Sequence, residues 1–396
     1  MQVWKFGGTS VGKPERMKSI RQLITEDGQP KIVVLSALSG STNTLLSISE
    51  SLNAGNPSEA KAKASELRAH YDQFLTELYS TPAGLGKGQA IVAKEFAFID
   101  SLIATIPYTV KQEKEMVALG ELLSTQIFEA FLQEEGISSA LLPALDFMVI
   151  DEDNEPVLKV IEQKLATVIA PVKDKQIFVT QGFICRNPAG EVDNLKRGGS
   201  DYTASLIANY LNAEELQNYT HVDGIYTANP DLVPDAKKID YLTFNEANEL
   251  ANFGATILHA KTIIPLLEKN IPLRILNTFN HENKGTLIRS TASKEGIKTL
   301  SVLENVALVN LEGRGLLGKT GVDARIFKVM GDNDISVSII SQGSSERGIG
   351  LVVDADKATT AMIQLEKEFE NDFYSKDVNK ISITDDVSVI SIIGQD

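Results

Sequence analysis

The chain has 396 residues, 43% of them hydrophobic, with 53 acidic against 38 basic side chains and a formal net charge of −15. That length suits two or three domains with ordinary cores, and the acidic balance argues against nucleic acid or an anionic membrane as the main partner. Cys185 is the single cysteine, which excludes an internal disulfide framework and fits a reducing cytoplasm.

Cys185 itself reads as a small core residue. His70, His221, His259 and His281 are scattered without metal-ligand spacing, so no metal site is expected from them. No apolar run reaches the ~18 residues of a membrane span, and the start is not that of a signal peptide.

The chain opens MQVWKFGGTSVGKPERM. Val3–Phe6 reads as a buried strand broken by Gly7 and Gly8; Pro14 suits the first turn of a helix starting near Lys13. Such a junction offers bare backbone N–H groups beside a helix N-terminus, and both attract phosphate. A tight turn with a solvated lysine is the plain alternative, and the Gly-Lys-Ser/Thr order of a Walker A loop is absent. Lys31–Ser36 is a continuous apolar run ending in polar residues, the pattern of a buried parallel strand with an exposed C-terminal end. Ser58 to about Glu135 is helical in texture. Ser139–Leu142 and Gln176–Thr180 are strand candidates, the second running into Gln181–Gly182–Phe183.

Asn194–Ala204 combines two cations, two glycines and a helix start that Ser200 or Asp201 is suited to cap. Arg197 there suits a bidentate carboxylate clamp; a capped surface helix is the alternative. Glu121, among apolar neighbours in Ala118–Ser124, is either a surface residue or a receptor for an amine. Leu216–Val222 is the next strand, followed by a loop to Ala236, a helical stretch Phe244–Asn270 and the strand Leu273–Asn277. The alternation predicts an α/β fold with a mainly parallel sheet between helices, where ligands bind beyond the strand C-terminal ends. Arg289–Lys298 is a polar linker, so the domains fall at 1–290 and 297–396. Val306–Leu311, Val322–Asp332, Ile335–Ile340, Gly348–Asp354, Lys357–Phe369 and Val387–Ile393 give the second domain a βαββαβ order.

The words KFGGTSV, VLSALSGSTN, GELLS, TQGF, RGGSDYTA, VDGIYTANP, FGATILH and GTLI occur in that order. Their order resembles aspartokinase, of the amino acid kinase family, over essentially the whole chain. The resemblance implies the amino acid kinase fold and transfer of the ATP γ-phosphate, with Mg²⁺, to the side-chain carboxylate of L-aspartate. It also implies, residue by residue, that Lys5, Gly7, Gly8 and Ser10 face phosphate. Ser36, Thr42, Glu121, Phe183, Arg197, Gly199 and Ser200 would face aspartate, Glu121 meeting the ammonium and Arg197 the α-carboxylate. Asp201 would organise the catalytic cations with Lys5, while Thr220, Asp223 and Tyr226 would line the nucleotide pocket.

The nucleotide half departs from the family pattern at His221, Asp231 and Thr256, where an acid and two cations are usual. A weakly active or silent regulatory paralogue that binds amino acid is therefore the alternative. The region after about Ile297 resembles ACT modules, which implies an end-product amino acid effector and a homodimer or higher homo-oligomer. Gly318, Asp323, Asn333, Ile335, Ser341 and Gln342 match the effector-facing segments. Thr299–Leu303 and Val387–Ile393 are expected as two strands of a second, incomplete module.

Overall fold

A computed structural model describes residues 1–254, 258–291, 296–314, 320–342 and 348–395. The chain divides into two units, one of residues 1–251, 256–298 and 394–396, the other of residues 252–255 and 299–393. Among the described residues no helix is long and apolar enough to cross a membrane.

The first unit is built on eight strands: β1 Gln2–Phe6, β2 Lys31–Leu35, β3 Ser139–Leu142, β4 Ile177–Gln181, β5 Leu216–Thr220, β6 Tyr241–Thr243, β7 Leu273–Asn277 and β8 Thr286–Arg289. Their order across the sheet is β6-β8-β7-β5-β1-β2-β4-β3. Every pair is parallel except β7 with β8. The central strands β2 and β4 are buried at all positions and carry mainly apolar side chains, as strands covered on both faces do. From β1 the chain steps to β2 on one side, and later returns to place β5 on the other. That reversal opens a crevice at the C-terminal end of β1, where a parallel sheet binds ligands.

The helical stretch after β2 resolves into four helices, Ser41–Asn53, Pro57–Leu78, Pro82–Ile103 and Val110–Glu134, each packed on the next. Their apolar faces meet those of β1, β2 and β4 in one core that includes Phe6, Val33, Leu45, Tyr71, Phe96, Phe128 and Val179. Pro14 starts the helix Pro14–Thr25, as its fixed φ suits a first turn. The stretch expected as one helix over Phe244–Asn270 is two, Phe244–Asn252 and Ala260–Glu268.

In the second unit, residues 299–312 of the strand Gly296–Glu312, strands Val337–Gln342 and Gly348–Asp354, residues 380–393 of the strand Lys380–Gln395, and helices Val322–Asp332 and Ala358–Glu368 follow the βαββαβ order. Ala307, Val309 and Leu311 alternate toward the helices with Ile349, Leu351 and Val353, burying Ile326, Met330, Leu365 and Phe369. Thr299–Leu303 and Val387–Ile393 are not separate strands. They are the ends of the two long ones, each set off by a left-handed residue, Asn305 (φ 57°) and Asp386 (φ 55°).

Candidate active site

Lys5 lies one residue before the end of β1 and is only 9% exposed. Its Nζ is 2.6 Å from Asp201 Oδ1, so the ammonium is held rather than solvated. Asn218, in register with Lys5 on β5, donates from Nδ2 to the same Asp201 oxygen at 3.1 Å. The backbone ladder extends past the strands: Ser36 N–H donates to Phe6 O, and Gly182 N–H to Leu35 O. This carries the loops after β1, β2 and β4 to one rim. Ser36 Oγ there donates to Ser200 Oγ at 3.0 Å. Glycine at 182 is what lets Ser200 approach, since a Cβ would fall 2.5 Å from Ser200 Cβ.

The helix that carries Ser200 and Asp201 runs Gly199–Leu211, and its cap differs from the expected one. Gly198 is the N-cap residue, at φ 74°, and no side chain caps the helix. The left-handed turn starts the helix early enough to leave Ser200 and Asp201 in the first turn, where their side chains meet Ser36 and Lys5 instead of the helix N–H groups.

Glu121 is on the long helix Val110–Glu134 and is 3% exposed. Its Oε1 accepts from Ala37 N–H at 3.3 Å, while Oε2 is buried with no partner among the described residues. Burial pushes its carboxyl up to about 8, against which the Ala37 hydrogen bond pulls down. Ser124, one turn on, donates to Ser36 O at 2.8 Å and ties this helix to the β2 loop. Gly120 packs against Ala37, where a Cβ would come within 2.8 Å.

Lys5, Ser36, Glu121, Ser200 and Asp201 line one cleft of about 540 Å³, together with Gly8, Thr42, Phe183, Arg197, Gly199 and His221. The arrangement provides an acid able to receive an amine, exposed guanidinium donors for a carboxylate, and a fixed ammonium near glycine backbone. Ionised Glu121 is what receives an ammonium. We therefore expect the affinity of an amine-bearing substrate to rise as pH goes from 6 toward 8, by up to about tenfold per pH unit, with proton release. The Glu121→Gln protein loses this slope, which calorimetry in two buffers of different ionisation enthalpy measures. The free protein has the opposite sign. Its carboxyl holds a proton more tightly when folded than at the ordinary glutamate value of 4.5, so that contribution to stability is complete below 4.5 and lost as pH rises through about 8.

Of the other expected residues, Gly7 stays beside the Lys5 ammonium, where an added Cβ would lie 3.6 Å from Nζ, and the rest lie elsewhere. Ser10 is fully buried, its Oγ 2.6 Å from Thr278 Oγ1, and Gly7 N–H donates to Tyr219 O at 3.4 Å. Thr220, Asp223 and Tyr226 sit on and after the end of β5. There the Asn277 and Asn280 amides hold the Asp223 carboxylate at 2.7 and 3.1 Å, and His221 joins this turn to the cleft. Burial beside Asp223 raises the Tyr226 hydroxyl. Asp231 is exposed, and Thr256 lies outside the described residues. Lys238 is engaged by Asp240, Asn283 and Gly285 O, and Lys261 by Glu155.

In the second unit, Asp323 is exposed in the first turn of Val322–Asp332, and Ser341 and Gln342 are exposed on an edge strand. Asn333 instead donates to Val329 O at 2.8 Å, and Ile335 is buried in the core; both close the end of a helix. Gly318 lies outside the described residues.

Comparisons with known proteins agree with this fold. The model of the amino acid kinase family matches residues 1–277, and that of an ACT domain residues 309–369. A bifunctional aspartokinase/homoserine dehydrogenase of Haemophilus influenzae is 32% identical, over 100% of this chain and 49% of that protein. The chain spans about half the length of such bifunctional relatives. Lysine-sensitive aspartokinase 3 of Escherichia coli is 30% identical, over 90% of this chain and 79% of that protein. The crystal structure of E. coli aspartokinase III in complex with aspartate and ADP superposes with a TM-score of 0.83 at 28% identity, covering 100% of this chain and 87% of that one. A second structure of that enzyme, with lysine and aspartate, gives 0.78.

Proposed function

The chain belongs to the amino acid kinase family, among the aspartokinases, and from that premise we propose that it transfers the γ-phosphate of ATP to the side-chain carboxylate of L-aspartate. The product would be 4-phospho-L-aspartate, the first step toward lysine, threonine and methionine. One observation carries this reading: Glu121, a buried carboxylate with one oxygen unpartnered among the described residues, lines the same cleft as the Arg197 guanidinium and the Lys5–Asp201 pair. An α-amino acid is a ligand that satisfies both Glu121 and Arg197.

In this mechanism Glu121 receives the ammonium and Arg197 the α-carboxylate, leaving the side-chain carboxylate to meet the phosphate. That carboxylate is already ionised at neutral pH, so no general base is needed. The Lys5 ammonium, fixed by Asp201, neutralises charge on the transferring phosphoryl group without having to reorganise. The Ser36 and Ser200 hydroxyls and Thr42 supply polar contacts at the rim. Among the described residues no three carboxylate, histidine or cysteine side chains group for a metal ion. Mg²⁺ would come with the nucleotide and would screen the charge of its phosphates. The exposed Asp323, Ser341 and Gln342 are the groups of the second unit that would meet an end-product amino acid, in a homo-oligomer formed through that unit.

The exposed acid Asp231 in the nucleotide loop, and the engagement of Lys238 and Lys261 by other groups, favour a second reading: a regulatory paralogue that binds aspartate without turnover. ADP release from Mg-ATP, measured with L-aspartate, L-glutamate and L-homoserine in turn, separates the two. Aspartate-dependent release supports the kinase. No ADP release, while aspartate still binds, supports the paralogue.

A further inference from the structure

Lys196 stands at φ 60°, in the left-handed region that side-chain-bearing residues avoid. The turn fixes it there: its N–H donates to Asn194 Oδ1 at 3.2 Å, and its carbonyl accepts from Gly199 N–H at 3.1 Å. A glycine would hold this turn without strain, as Gly198 does at φ 74°. The position carries a cation instead, and that cation lines the cleft.

The charges of the cleft make its role specific. Lys5 is held by Asp201 and is assigned to the phosphoryl group. Among the described residues the Lys196 ammonium and the Arg197 guanidinium form no ion pair. An amino dicarboxylate brings one ammonium and two carboxylates. Glu121 answers the first and Arg197 the α-carboxylate, which leaves one anion and one cation. We propose that Lys196 is a specificity-determining residue whose ammonium meets the reacting side-chain carboxylate, selecting it over a neutral side chain and easing its approach to an anionic phosphate. The inference rests on the reading of the cleft as an amino acid site.

Calorimetric titration of the full chain with L-aspartate and with L-asparagine, its neutral counterpart, tests it without requiring turnover. Wild type should favour aspartate. Lys196→Met should lower aspartate affinity roughly tenfold or more while leaving asparagine affinity unchanged, and Lys196→Arg should restore most of the loss. Lys196→Gly, which suits the turn, should show the same loss as Lys196→Met and so exclude a folding effect. An aspartate-to-asparagine ratio unchanged in Lys196→Met, with wild type still binding aspartate, overturns this inference alone. A wild type that binds neither amino acid overturns both the inference and the reading of the cleft.

Discussion

Arg197→Ala should raise the KM for L-aspartate by two to three orders of magnitude while leaving the KM for ATP within about threefold. The side chain is exposed at the rim of the cleft and, among the described residues, makes no ion pair in the free protein. Its removal therefore strands no buried charge, and the loss is that of ligand contacts alone. Two charge-assisted hydrogen bonds to a carboxylate, each at the lower end of their range because the site is solvent-facing, amount to about 3–4 kcal/mol. At 1.4 kcal/mol per tenfold, this is about a 10²- to 10³-fold effect. Steady-state kinetics with each substrate varied in turn measures it. Equal effects on the two KM values would remove Arg197 from the aspartate site.

Lys5→Ala should act on the other parameter. An ammonium held 2.6 Å from Asp201 is positioned before the substrate arrives, so it stabilises charge that develops only during transfer. Loss of one such donor lowers kcat by about 10²- to 10³-fold, with the aspartate KM little changed. The same substitution leaves the Asp201 carboxylate with the Asn218 amide as its described partner, so the melting temperature should fall as well. An unchanged kcat would place Lys5 outside the phosphate site. A lower melting temperature with unchanged kcat would make the Lys5–Asp201 pair a structural one.

How far the sequence discloses this site depends on the range of each contact. The parallel sheet was legible because strands covered on both faces, such as Lys31–Leu35, read as unbroken apolar runs. The glycine words were legible because backbone that approaches backbone needs Gly, as at Gly182 against Ser200. Glu121 stayed ambiguous. Its described hydrogen-bond partner, the Ala37 N–H, lies 84 residues away, and the sequence of its own helix leaves it open to reading as a surface acid. Asn218 escaped notice altogether; a polar residue in a strand looks ordinary until the register sets it beside Lys5 and Asp201. The family resemblance implies a phosphate contact at Ser10, but its hydroxyl is buried against Thr278, 268 residues on. The left-handed turns at Gly198 and Lys196 moved the helix start and with it the roles of Ser200 and Asp201, which cap propensities alone do not reveal.

The central claim is that this cleft phosphorylates a carboxylate. Its most direct test is hydroxylamine trapping of the product formed from Mg-ATP and L-aspartate by the full chain. A hydroxamate that forms in step with ADP, and is lost in Lys5→Ala and Arg197→Ala, is the result expected. ADP formed without hydroxamate, or no ADP at all while L-aspartate still binds, would contradict it.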